Sequence, residues 1–132
     1  MTPVLKPLRW PRVWLALWAL AIAVVWVLCL VSLPPADLPS GSDKVEHFLA
    51  YFVLAGSAVQ VFQGRRALAA VAAGLLAMGV AIEVAQSLLT ATRVADGWDV
   101  VANSIGVIAG MALAATPLGN VLLRLEPKRR PR

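Results

Sequence analysis

AIEVAQSLLTATRVADGWDVVANSIG, residues 81–106, decides how this chain is organised. The stretch begins inside an apolar run that nevertheless carries Glu83. It crosses a short polar loop and re-enters apolar sequence with Asp99 and Asn103. Glu83, Gln86 and Thr90 recur at helical spacing and share one face. Asp99, Asn103, Gly106 and Gly110 do the same on the next segment. Two helices joined by so short a loop are antiparallel neighbours, and their polar faces are expected to meet.

Composition says what surrounds them. Of 132 residues, 60% are hydrophobic and only 14% charged. Soluble domains carry about 25% charged residues, so an integral membrane protein is expected. Mean hydropathy is +0.78. The net charge is +5, but the basic residues gather at the two termini and in one turn. That distribution is a topology signal and argues against a nucleic-acid partner. Cys29, the single cysteine, cannot form an internal disulfide and reads as a small apolar side chain.

The expected fold is all-α, with four transmembrane helices and both termini cytoplasmic. Residues 1–12 form a basic, unstructured tail with Lys6, Arg9 and Arg12 among three prolines. Residues 13–32 are uncharged, and at about 1.5 Å per residue they span a hydrocarbon core of roughly 30 Å. This run is longer than a signal-peptide core and lacks a cleavage site, so a retained anchor is expected. A second helix starts near Asp43, where Asp43-Lys44-Val45-Glu46 has capping-box spacing, and runs to about Phe62. Gln63-Gly64-Arg65-Arg66 makes a basic turn. A third helix covers 67–89, and a fourth, capped by Asp96, runs to about Leu123 with a weak point at Pro117. The transmembrane domain is thus 13–123, followed by a basic tail, 124–132. With basic segments inside, both acidic loops face outward.

On that topology the polar residues collect near the outer face. His47 lies one turn into the second helix. Asp43, Lys44, Glu46, Arg93 and Asp96 lie nearer the surface. Each has a plain structural role open to it. Asp43 and Asp96 can cap helices, and Asn103 with Gly106-x-x-x-Gly110 can fasten two helices closely. Tyr51 can be a buried or interfacial aromatic; Trp18 and Trp26 read as lipid-facing. Glu83 is harder to place without a function, because a carboxylate away from a helix end costs a few kcal/mol in hydrocarbon unless paired or protonated. A pairing with His47 or Arg93 would offset that cost. His47 is the only histidine, the side chain most often used as a general acid or base.

Asp43-Lys44-x-x-His47, Tyr51, Glu83-x-x-Gln86, Arg93, Asp96, Asp99 and Asn103-x-x-Gly106 together resemble the VanZ-like membrane protein family. The resemblance covers residues 40–110. It implies a multi-pass protein of a bacterial inner or plasma membrane. The name-giving member of that family is associated with low-level resistance to the glycopeptide teicoplanin. It brings no established catalytic residues, so none are carried over.

Two function classes, and a structural one, stay open at this point. In the first, an outer-leaflet pocket binds or modulates a cell-envelope lipid or lipid-linked precursor. Lys44 and Arg93 meet its phosphate or carboxylate, and Gln86, Asp99 and Asn103 complete the pocket. In the second, a small intramembrane enzyme uses His47 as general acid or base, with Glu83 or Asp43 orienting it. In the third, the polar cluster only fastens helices. No cofactor or metal is expected, since no compact ligand motif is present, although a divalent ion held by Asp43, His47, Glu83 or Asp99 is a variant of the second reading. Oligomeric state is not legible.

Overall fold

The computed structural model describes residues 3–31, 41–89 and 96–126. The described residues form an all-helical protein. Its long helices are α1 (Pro11–Leu30), α2 (Ser42–Val61), α3 (Arg65–Leu89) and α4 (Gly97–Ala112). Two 3-10 turns and a short α5 (Val121–Leu125) close the chain. Three segments are long and apolar enough to cross a membrane: Pro11–Leu30, Arg65–Leu89 and Gly97–Ala115.

The core is built around α2 and α4. Tyr51, Leu54 and Ala55 of α2 pack with Leu75 of α3 and Val107 of α4. Gly106 and Gly110 set how close α4 comes. A Cβ on Gly106 would lie 2.5 Å from the Phe48 carbonyl oxygen, and one on Gly110 would lie 2.6 Å from that of Phe52. No side chain fits there, so the two backbones touch, as small-residue spacing in membrane helices allows. Gly79 plays a milder version of this part, since its Cβ would meet Asn103 Nδ2 at 3.2 Å. Gly74, on the same helix, faces open space.

The shared faces of α3 and α4 are as the spacing predicts. Glu83 and Gln86 are buried on α3, and Asp99, Asn103, Gly106 and Gly110 on α4. Thr90 and Arg93 lie outside the described residues. Helix α1 sits on the periphery and contributes no buried residue. Trp18 and Ile22 only lean on the core. Trp18 is nonetheless not a lipid-facing side chain: its Nε1–H donates to the Leu54 carbonyl, and its ring meets Phe62 edge-on.

Three sequence expectations need correction. The amino-terminal segment is not an unstructured lead-in. Leu5 pairs with Phe62 in an antiparallel bridge, and the Gln63 N–H donates to the Val4 carbonyl. Lys6 reaches the Gly119 carbonyl and Asn120 Oδ1, and its partial burial lowers its pKa. The last helix does not run to Leu123. It ends at Ala112, because the residue before Pro117 is pushed out of the helical region, and Thr116 is extended at φ −115 and ψ 164. The capping box does not form. Gly41, at φ 88, is the N-cap of α2 with no side-chain cap bond, and Asp43 turns to Lys44 instead.

These contacts give two expected outcomes. Gly110→Val drives a branched side chain into the α2 backbone, and should cost about 3 kcal/mol, the upper end for overpacking. Gly74→Ala adds a methyl where there is space, and should be neutral or stabilise by up to about 1 kcal/mol. Thermal unfolding of both variants in detergent micelles checks the contrast; equal behaviour would remove the close contact as an organising feature.

Candidate functional site

Antiparallel packing brings the start of α2, the end of α3 and the start of α4 to one end of the bundle. The sequence puts Asp43, Glu46, Glu83, Asp96 and Asp99 at this end, and Arg12, Arg65, Arg66 and Arg124 at the other.

The innermost group is His47, Glu83, Asp99 and Asn103, all buried. His47 Nδ1 lies 3.1 Å from Asn103 Oδ1. With Asn103 Oδ1 as acceptor, Nδ1 is the donor, in the neutral ring and in the imidazolium alike. Nε2 then faces Asp99 Oδ2 at 3.6 Å, beyond an ordinary hydrogen bond. Glu83, 4% exposed, accepts the Asp96 backbone N–H on Oε2 at 3.0 Å. Among the described residues, Glu83 Oε1, Tyr51 Oη and Asn103 Nδ2 are buried without a hydrogen-bond partner. Asp99 Oδ1 also lacks one by hydrogen-bond geometry, but lies 3.4 Å from Lys44 Nζ and so is not electrostatically alone.

A second layer sits above. Lys44 pairs with Asp96 at 2.8 Å and with Asp43 at 3.1 Å. Asp96 also caps α4, accepting the Trp98 N–H at 2.9 Å. The Lys44 ammonium beside it holds the Asp96 carboxyl below the ordinary aspartate range. Lys44 is therefore committed to three acids, and little of its charge is left for an anionic head group. Asp43 stands at the exposed rim, with one carboxylate oxygen within 4.8 Å of one of buried Asp99.

Gln86 points elsewhere. Its Nε2 donates to the Cys29 carbonyl at 2.9 Å and ties α3 to α1. Between α1 and α2 lies a groove of about 360 Å³, walled by Val25, Leu28, Leu49 and Ala50 with Cys29 and Tyr51, and ending at Glu46 and His47. His47 thus belongs both to the polar cluster and to the groove. The α1 side of this groove carried no sequence signal, because Val25 and Leu28 are ordinary members of an apolar span.

Comparison of the chain with family models, with curated proteins and with solved structures gave no match.

The Lys44–Asp96 pair makes stability pH-dependent with a definite sign. A carboxyl whose pKa is depressed on folding adds stability above its unfolded value and loses it as pH falls through the folded one. Asp96→Asn keeps an N-cap oxygen but removes the charge. It should therefore be less stable than the parent at neutral pH, and the gap should close as pH drops below the ordinary aspartate value of 3.8. Melting curves of both proteins across that range read the effect; a gap that persists in acid would show that the ion pair contributes nothing.

Proposed function

We propose that this chain is a VanZ-like membrane protein that binds or modulates an amphiphile of the cell envelope, a lipid or a lipid-linked precursor. The observation that carries the reading is the groove between α1 and α2. Its walls are hydrocarbon and its one end is ionisable, which is the chemistry of a lipid tail and its head group. The family assignment rests on the motif order across residues 40–110. Resistance to a glycopeptide is not part of the proposal.

The reading includes a four-span topology in a bacterial membrane. Helix α2 has an ordinary spanning length of 20 residues, and its charges are confined to its first turns. Val45, Leu49 and Val53 form a stripe on its outer face, exposed at 57%, 51% and 60%. An apolar stripe left uncovered by the rest of the fold fits contact with acyl chains. The segregation of Arg12, Arg65, Arg66 and Arg124 to one end favours that end, and both termini, on the cytoplasmic side. The polar cluster then belongs to the outer leaflet.

A second reading, an enzyme acting on a lipid-linked substrate, is favoured by the position of His47 at the groove end with Asp99 beside it. The two readings part on whether the amphiphile changes.

Ala50→Phe fills the groove from α2 and should abolish co-purifying lipid, as seen by native mass spectrometry, while helicity stays unchanged. Lipid retained at parental levels would sink the groove as a binding site. Lipid profiles of cells with and without the protein separate binder from enzyme: a new or depleted species requires catalysis. In a Cys29→Ser background, Ser42→Cys should react with a membrane-impermeant maleimide on intact cells, and Gln63→Cys should not. The reverse pattern inverts the topology.

A further inference from the structure

We propose that His47, Glu83 and Asp99 form a binding site for one divalent first-row transition ion such as Zn²⁺. The three side chains come from three helices. One ligand atom of each lies within 4.8 Å of those of the other two, and all three residues are buried. Ligand atoms on a common Zn²⁺ stand about 3.4 Å apart at usual bond lengths, so the set has to draw in by at most about 1.4 Å. The mix of one imidazole and two carboxylates suits this class of ion rather than a soft thiolate-binding one.

Four features beyond proximity point to a cation. The first is the histidine tautomer. With its Nδ1 proton directed at Asn103 Oδ1, a neutral His47 turns the bare Nε2 lone pair toward the Asp99 carboxylate. Two lone pairs at 3.6 Å repel unless a proton or a metal ion lies between them, and a Glu83 oxygen within 4.8 Å of both offers a metal ion its third ligand. The second is Glu83, whose Oε1 is buried with no hydrogen-bond partner among the described residues. The third is charge. Asp43, Glu83, Asp96 and Asp99 stand together against Lys44 alone among the described lysines and arginines, and a divalent ion would neutralise both inner carboxylates in a medium that tolerates neither. The fourth is the outer support. Asn103 holds His47, the Asp96 N–H holds Glu83, and Lys44 holds Asp99, as partners behind metal ligands do. The neighbouring trio Asp43, Asp96 and Asp99 lacks this character, because the Lys44 ammonium already contacts all three.

The site does not depend on the groove. A chain that binds Zn²⁺ but keeps no lipid loses the functional reading above and retains this one.

The test uses the full chain in detergent, carrying an affinity tag without histidines and stripped of metal by a chelator. Titration calorimetry with Zn²⁺, together with elemental analysis after dialysis, should give one ion per chain. His47→Ala and Asp99→Asn should each weaken binding by about tenfold or more, and Asn103→Leu by about tenfold, as loss of a ligand's supporting partner does. Binding far below one ion per chain, or variants that match the parent, overturns the site. A second measurement needs no variant, because His47 is the only histidine. Zn²⁺ at saturation should slow acylation of His47 by diethyl pyrocarbonate by at least about tenfold, read by peptide mass spectrometry, if Nε2 is a ligand. Mg²⁺ at the same concentration should slow it far less. Equal acylation rates with and without Zn²⁺ overturn the proposal even if every variant fails to fold.

Discussion

Backbone contact between α2 and α4 is the constraint on which the rest depends. Gly106 and Gly110 admit no Cβ because the carbonyls of Phe48 and Phe52 occupy that space. Helices held that close cannot slide or rotate without collision. Their register therefore fixes what lies a turn or two nearer the polar end. Asn103 meets His47, and Asp99 faces the other side of the same ring. Tyr51 and Val107 fill the space beneath. Two close backbone contacts, at Gly106 and Gly110, thus set the geometry of a polar cluster that begins about one turn away.

That cluster is expensive. Carboxylates and an imidazole are held away from water at one end of a bundle whose outer surface is Leu, Val and Ile. Such groups persist only when each has a partner, and here the partners come from different helices. The Asp96 backbone serves Glu83, and its side chain both caps α4 and pairs with Lys44. Helix capping and ion pairing are combined in one aspartate. Asn103 fastens α4 to α2 through its contact with His47, a side chain that also lines the groove.

Periodic features were legible in the sequence because they are local. The apolar runs, the turn at Gly64, the cap at Asp96 and the buried faces of Glu83–Gln86 and Asp99–Gly110 follow from spacing and residue type. What escaped was decided by distant partners. Asp43 had the right offset to cap α2, but an ammonium one residue away competes for it. Residues 3–10 are basic and proline-rich, yet the carbonyls at the end of α2 and in the turns after α4 give them bonding partners. Pro117 was seen as a weak point, whereas its effect on Thr116 ends regular helix at Ala112. Nothing in an uninterrupted apolar span marked α1 as one wall of a groove.

That wall is only lightly attached to the rest of the fold. Helix α1 buries no side chain completely and is held along its length by a few bonds: Trp14 to Glu126, Trp18 to the Leu54 carbonyl, and the Cys29 carbonyl to Gln86. The opposite wall belongs to the rigid glycine-packed pair. A tilt of α1 would widen the cleft at the cost of those three bonds, while the α2–α4 contact stayed as it is. On the lipid-binding reading proposed above, such a tilt would let acyl chains of differing girth enter from the side.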